Sequence, residues 1–265
     1  MKTINIVISG GSGSGKSTLA ENIAKEITEK YGSKQIVVIS GDSYYKDQTD
    51  KTPEERVKNN YDRLDAFDLK LQYQQMTDLK NGNAIQVPIY DFVEHNRSPE
   101  TTTIEPHQIV IWEGIMLLAD DNLRDLFDLK LFVNTDLDIC LIRRTLRDIK
   151  KRGRTVEDVF EQWEKTVRPG FIKYIEPSQK YADIIVPNGG ENRLAIDMIK
   201  SKIKWHLEQN QAAESQIILG SPPKVSPSYY KDTNNGFTHF QSKDDATLNN
   251  NNNQETADVP LLNHP

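Results

Sequence analysis

Residues 10–17 read Gly-Gly-Ser-Gly-Ser-Gly-Lys-Ser. This stretch matches the pattern G-x-x-x-x-G-K-[ST], in which glycines bring bare backbone N–H groups close to phosphate oxygens. An apolar run, 4–9, precedes it, and a segment with apolar residues at helical spacing follows it, whereas a plain glycine turn needs neither. The motif therefore predicts a nucleotide-phosphate site, which comprises Gly10, Gly11, Ser12, Gly13, Ser14, Gly15, Lys16, Ser17 and Thr18.

Two side chains of this loop have assigned chemistry. Lys16 is placed to reach the β- and γ-phosphates, and the hydroxyl of Ser17 is placed to bind Mg²⁺. The helix after the loop adds the positive end of its dipole, which also favours a polyanion.

Outward from the loop, short apolar runs alternate with helical patterns. The runs are Ile36–Ser40, 109–112, 131–133 and 184–186, and the last helix is expected over 193–209. This alternation predicts an α/β fold with a parallel sheet flanked by helices, of the P-loop NTPase type. Residues 84–93 and 101–105 instead suggest two strands joined by a polar loop, a β-hairpin insertion within 84–105.

Composition excludes several classes of protein. The chain has 265 residues, a formal net charge of -6 and a mean hydropathy of -0.65, and no apolar stretch is long enough to span a membrane. The acidic balance argues against a general nucleic-acid binder, and the single cysteine, Cys140, excludes an intrachain disulfide framework. Residues 1–210 are expected to form the folded domain, cytoplasmic by default, and 211–265 a low-complexity, disordered tail of unknown partner.

Two carboxylates follow predicted strands. Glu113 ends the run 109–112, where a magnesium partner would sit, although an acid before a helix is about as common. Asp42 follows the second strand and is the candidate general base, although Gly-Asp-Ser alone is more often a turn. In α/β sheets ligands collect at the carboxyl ends of strands, which favours the functional interpretation of both acids.

A third signal is cationic. Seven basic residues lie between Arg143 and Arg154, around a helical apolar row of Ile139, Ile142, Leu146 and Ile149, and Gly153 follows the helix. A solvated helix face and DNA binding are the alternatives to a helical lid, about 143–165, that closes on transferring phosphates. The acidic composition disfavours DNA.

Further segments carry a resemblance to a known family. Besides the glycine loop, they are DSYYKDQ (42–48), VPIYDFVEHNR (87–97), the strand ending in WEGI, RDIKKRGR (147–154), KTVRP (165–169) and YADIIVP (181–187). In these segments, which follow the same order over residues 3 to about 207, the chain resembles the uridine-cytidine kinases. The resemblance departs at Gly41, at Arg63-Leu64 and at Asn188.

The resemblance implies transfer of a phosphoryl group from ATP, or GTP, to the 5′-hydroxyl of uridine or cytidine in pyrimidine salvage, by a homotetramer. It implies catalytic roles for Asp42, Lys16, Arg147 and Arg152, and a Mg²⁺ site at Ser17, Asp42 and Glu113. Asp62 and Arg144 correspond to the ribose pair, and Tyr90, Phe92 and His95 to the base pocket. Tyr45, Arg154 and Gln162 complete the implied substrate contacts.

Two alternatives stay open at this point. One is a related P-loop kinase for another hydroxyl substrate, of the phosphoribulose or pantothenate type. The other is a nucleotide-gated binding module whose partner docks on the tail. ATP turnover that a nucleoside stimulates would distinguish a uridine-cytidine kinase from both alternatives.

Overall fold

Five parallel strands form the central sheet, as the alternation of apolar runs predicts. In space they lie in the order Ile36–Ser40, Ile109–Gly114, Ile4–Gly10, Leu129–Asn134 and Ile184–Pro187. A computed structural model describes residues 3–218 of the chain, with side chains through residue 210. No helix in that range is both long and apolar enough to cross a bilayer. The strands are β1 Ile4–Gly10, β2 Ile36–Ser40, β3 Ile85–Asp91, β4 Asn96–Ile104, β5 Ile109–Gly114, β6 Leu129–Asn134 and β7 Ile184–Pro187.

Helices cover both faces of this sheet. They are α1 Lys16–Tyr31, α2 Pro53–Val57, α3 Leu69–Lys80, α4 Asp121–Arg124, α5 Leu137–Arg152, α6 Val156–Gln162, α7 Arg168–Gly170, α8 Glu176–Ser178 and α9 Arg193–Ile218. The helix α9 continues eight residues past the predicted boundary at residue 210, and residues 219–265 of the predicted tail lie outside the described residues. The helix α3 was not predicted from the sequence.

Alternation along the strands divides the core into two layers. Ile6 and Ile8 of β1 point toward α1 and α9, where Ile23 and Ile199 are buried beside them. Val7 points to the opposite face and joins a second buried cluster with side chains from α3 and the hairpin. Side chains of successive strand residues point to opposite faces, so a strand buried on both sides is apolar at every position.

The predicted hairpin is confirmed, but its second strand begins earlier than expected. β3 and β4 pair antiparallel from Ile85 opposite Ile104 to Asp91 opposite Asn96. The polar composition of residues 96–100 predicts that they belong to the connecting loop. They instead form the start of β4. Only Asn96 of this strand is buried, and most of its length is exposed to solvent. Polar composition here marks an exposed strand.

The helix α5 buries the face opposite its apolar row. Cys140, Arg144 and Asp148, spaced four residues apart, are the buried residues. The four apolar side chains of the row are 38–56% exposed. An amphipathic helix over a core would show the reverse, but α5 lies over the glycine loop, where polar partners are available. Gly153 ends the helix with φ 65°, the left-handed conformation that glycine favours.

Beyond Gly153, helical turns continue from Val156 to Tyr181 with two wide interruptions. The π-helical turns Trp163–Val167 and Phe171–Ile175 precede Pro169 and Pro177. Proline has no N–H to donate, so the α-helical hydrogen-bond ladder is interrupted there. This segment borders the cleft described below, to which it contributes Gln162.

Candidate active site

The glycine loop connects β1 to α1 and depends on its glycines. Gly13 has φ 84°, and a Cβ atom there would lie 2.3 Å from the backbone oxygen of Cys140. Gly15 has φ 100° and stands at the start of α1. The first N–H groups of a helix have no acceptor within it, so this loop offers donors to an anion.

Lys16 is almost fully buried at the base of the loop, 7% exposed, and its ammonium donates to the backbone oxygen of Gly11 at 3.0 Å. Burial lowers the pKa of Lys16, and the opposing charges of Glu113 and Asp42 offset part of that shift. The lysine is therefore held between the loop and two carboxylates, at the position predicted for phosphate contact.

Glu113 and Asp42 meet at the carboxyl edge of the sheet. Ser40 of β2 lies opposite Glu113 of β5, and the Ser40 hydroxyl donates to its carboxylate at 3.0 Å. The backbone N–H of Asp42 donates to the same hydroxyl at 3.3 Å. Burial raises the pKa of Glu113, against the charge of Lys16 and a hydrogen bond from Ser17. These oxygen atoms are hard ligands of the kind that Mg²⁺ prefers, so the residues predicted for that ion fit it.

A cleft adjoins this edge. Its lining brings together every side chain predicted to contact substrate, with two of the predicted catalytic arginines. Tyr61 and Ile115 also line it and were missed from sequence. The predicted residues are Ser12 of the loop, Asp42, Tyr45, Asp62, Tyr90, Phe92, His95, Arg144, Arg147, Arg152, Arg154 and Gln162.

Asp62 and Arg144, the predicted ribose pair, face each other in this cleft. Asp62 is 4% exposed and accepts a hydrogen bond from the Thr166 hydroxyl at 3.1 Å. Burial raises the pKa of Asp62, and the charge of Arg144 is the main opposing influence. Gly170 packs against Asp62 so closely that a Cβ atom there would lie 2.4 Å from the Asp62 backbone oxygen. Only glycine fits at that position.

Aromatic side chains form the other end of the cleft. Tyr45 stacks on Phe67 at 4.2 Å and contacts Tyr90 at 5.0 Å between ring centroids. The His95 ring lies beside Tyr61, and burial lowers the pKa of His95, with Arg154 and Arg152 adding to the shift. A neutral imidazole can both donate and accept a hydrogen bond, which suits it to read the polar edge of a base.

Three guanidinium groups of α5 converge on one buried acid of the same helix. Asp148 is fully buried and lies 2.8 Å from Arg147, 3.3 Å from Arg152 and 3.5 Å from Arg144. No role is predicted for this acid from the sequence. The arginines then reach the substrate cleft: Arg144 donates to Ser12 at 2.7 Å and to Gln162 at 2.8 Å, Arg154 contacts Gln162, and Arg152 lies over the Phe92 ring.

The departures from the resemblance lie outside this cleft. A Cβ atom added at Gly41 would lie 3.2 Å from the backbone oxygen of Glu113. Arg63 forms an exposed ion pair with Asp65. Asn188 lines a separate cleft beside the loop with Thr135 and Arg143. None of these positions is among the residues that line the cleft.

Known proteins resemble this chain in sequence and in fold. The uridine kinase of Aeromonas hydrophila subsp. hydrophila is 51% identical over 202 residues, 76% of this chain and 94% of that protein. The uridine kinase of Salmonella paratyphi B is 51% identical over 203 residues, 77% of this chain and 95% of that protein.

Solved structures share the fold at low identity. A putative fructose transport system kinase from Silicibacter sp. TM1040 has a TM-score of 0.60 at 20% identity, over 70% of this chain and 90% of its own. Phosphoribulokinase from Rhodobacter spheroides has a TM-score of 0.55 at 18% identity, over 70% of each chain. The family model described as phosphoribulokinase / uridine kinase matches residues 5–195. The chain belongs to the phosphoribulokinase / uridine kinase family.

Proposed function

We propose that this protein transfers the γ-phosphoryl group of ATP to the 5′-hydroxyl of uridine or cytidine, in the cytoplasm. The observation that carries this is a single cleft in which Asp42, at the edge beside the phosphate loop, is continuous with the buried Asp62–Arg144 pair and an aromatic end that includes His95. Family membership favours a kinase over a nucleotide-gated binding module, and the aromatic end favours a nucleoside over phosphoribulose or pantothenate.

The side chains divide the reaction among them. Asp42 accepts the proton of the 5′-hydroxyl as its oxygen forms a bond to the γ-phosphorus, and ADP leaves with the bridging oxygen. Lys16 stabilises charge on the β- and γ-phosphates, and Arg147 and Arg152, which line the same cleft, add positive charge there. The chemistry is mainly positioning and charge stabilisation, which a cleft lined by fixed cations provides.

Magnesium belongs to this proposal as the partner of the nucleotide. The oxygen atoms of Ser17 and Glu113, with Asp42, would hold it. In the described part of the chain no group of three or more His, Cys, Asp or Glu side chains is arranged to hold a metal. Mg²⁺ commonly takes few protein ligands together with phosphates and water, so this composition fits. When bound, Mg²⁺ supplies neutralisation of the phosphate charge.

A coupled assay with ATP, repeated with GTP, against a panel of acceptors tests the proposal. We expect turnover with uridine and cytidine and none with adenosine, phosphoribulose or pantothenate. ATP hydrolysis that no nucleoside stimulates would instead support the binding-module alternative. Turnover with phosphoribulose alone would overturn the assignment of the base pocket.

Asp62→Asn should remove the preference for ribonucleosides. The carboxylate is buried and positioned to accept from ribose hydroxyls, so its loss should raise the KM for uridine by about 10- to 100-fold. The KM for 2′-deoxyuridine, which makes one contact fewer, should change less. Steady-state kinetics with both nucleosides measures the ratio, and Asp65→Asn, at an exposed neighbouring acid, is the control. An equal rise for the two substrates would contradict the ribose assignment.

We also propose that the protein self-associates, as the homotetramer implied by the resemblance. The exposed apolar row of α5 has the 3-4-3 spacing of a two-heptad seam. In a parallel pairing with a second copy, Asp138 would face Arg143 of the other chain. The charge pattern therefore suits a second copy of α5.

Leu146→Glu should shift the protein toward a smaller species. It places a charge in the middle of the seam, opposite the buried face of α5, so the cleft should keep its structure. Light scattering coupled to size exclusion measures the mass, and Trp205→Glu, an exposed apolar position on α9, is the matched control. An unchanged mass for Leu146→Glu would exclude this face as an interface.

A further inference from the structure

His95 is held in an uncommon backbone conformation. It lies in the turn between β3 and β4 with φ 52°, in the left-handed region, where a residue with a side chain is uncommon. Such a conformation persists only when the surroundings over-determine it. The residues that fix His95 therefore bear on whatever its ring does.

Two buried side chains meet the backbone oxygen of His95. The amide of Gln48 donates to it at 3.4 Å, and the hydroxyl of Tyr61 lies 3.3 Å from it. Gln48 also donates to the Tyr61 hydroxyl at 2.8 Å, and the single proton of that hydroxyl is shared between the backbone oxygens of Arg56, at 2.8 Å, and His95. Gln48 is 4% exposed and Tyr61 is 7% exposed, so water does not replace these contacts readily.

The ring of Tyr61 also fixes the imidazole. The two ring centroids are 5.6 Å apart and the planes differ by 24°, so the rings lie nearly parallel. The Tyr61 ring also meets the Tyr45 ring edge-on, with 5.4 Å between the ring centroids. One residue thus restrains both the backbone and the side chain of His95.

Further bonds join this turn to the segment that follows Asp42. The backbone N–H of Gln48 donates to the Asn96 side chain at 2.7 Å, and Asn96 donates to the Thr49 hydroxyl at 3.0 Å. Arg97 donates to the backbone oxygen of Tyr45 at 2.5 Å. The turn and the segment 45–49 are therefore connected through side chains from both.

We propose that Gln48 and Tyr61 are positioning residues for base recognition, which hold the His95 ring at the angle needed to read a pyrimidine. This inference rests on the proposed function of the cleft. Neither residue transfers a proton or contacts phosphate; the Tyr61 hydroxyl acts through His95. The consequence is that the selectivity of the cleft depends on Tyr61 in its wall and on the buried amide of Gln48 that donates to the Tyr61 hydroxyl.

Tyr61→Phe tests this because it removes the hydroxyl and keeps the ring. We expect the KM for uridine and cytidine to rise about tenfold. The KM for ATP and the kcat at saturating nucleoside should stay within about twofold, since Asp42 and the loop are untouched. Tyr73→Phe, at a 43% exposed position on α3, is the matched control and should change nothing.

A second variant separates positioning from general destabilisation. Gln48→Met should produce a similar rise, and the double variant Tyr61→Phe with Gln48→Met should rise by less than the product of the two, because both act through one carbonyl. Multiplicative effects, or a fall in kcat without a rise in nucleoside KM, would overturn the inference. A wild-type protein inactive on both nucleosides would instead refute the proposed function.

Discussion

Asp42→Asn is expected to abolish phosphoryl transfer while ATP still binds. A positioned general base contributes about 10²–10⁴-fold to such a reaction, and asparagine cannot accept the proton. The substitution keeps the size of the side chain, and the backbone N–H at this position retains its bond to the Ser40 hydroxyl. We therefore expect kcat to fall by that factor with little change in the affinity for ATP.

The measurement is a pair of experiments on one preparation. A coupled assay with uridine gives kcat, and calorimetry with a non-hydrolysable ATP analogue gives nucleotide affinity. Asp50→Asn, at an exposed acid eight residues further along the same segment, is the control and should behave as the wild type. Residual turnover above about a tenth of the wild-type rate would be far more than loss of a general base allows, and would remove Asp42 from that role.

Sequence identifies the catalytic edge because the chemistry there is local. The loop from Gly10 to Ser17 is a contiguous motif, and Asp42 and Glu113 are each attached to the end of an apolar strand. Since parallel strands bring their carboxyl ends to one edge, the order of strands alone places both acids near Lys16. No long-range side-chain packing has to be known for this part of the site.

The rest of the site depends on contacts that periodicity does not encode. Tyr61 is one aromatic among several in a polar stretch, and it becomes part of the cleft only because Gln48 and His95 fold onto it from distant segments. Tyr61 is adjacent in sequence to Asp62, which the resemblance assigns to the ribose pair. Adjacency alone, however, does not predict that a side chain lines a pocket. Long-range polar pairing of this kind appears only in three dimensions.

The orientation of α5 is the clearest example of that limit. Periodicity favours burial of the apolar row that includes Ile142 and Leu146, because most helices pack on an apolar core. The polar face is buried instead, since Arg144 finds Ser12 and Gln162 on the facing elements. Because α5 covers the phosphate loop, its polar face is the buried one. The negative charge of Asp148 then offsets the cost of burying the arginines beside it.

Asp148→Asn should therefore destabilise the protein and impair catalysis together. Removing one member of a buried ion-pair network costs about 3–5 kcal/mol, because the remaining charges stay buried. Burial raises the pKa of Asp148, but the charge of Arg144 and the hydrogen bond from Arg147 outweigh it, so the pKa is lowered overall. Burial also lowers the pKa of Arg152, to about 10, with Arg147 adding to the shift and Asp148 opposing it.

The sign of the pH dependence separates this mechanism from a packing defect. A carboxyl whose pKa is lowered in the folded state stabilises it when ionised, and that contribution is lost as the pH falls through the folded pKa. The stability gap between wild type and Asp148→Asn should thus be largest near neutral pH and narrow below about pH 4. Urea unfolding across pH measures the gap, with Glu157→Gln, at an exposed acid of α6, as the control.

Catalysis by the folded fraction of Asp148→Asn supplies the second readout. Without their shared carboxylate, Arg147 and Arg152 lose their common orientation, so we expect kcat to fall at least about tenfold at a temperature where the variant is fully folded. A stability gap that stays constant with pH would indicate that the negative charge of Asp148 is not what stabilises the protein. Normal kcat in a folded Asp148→Asn protein would show that the arginines orient themselves without it, and would leave the acid a purely structural part of α5.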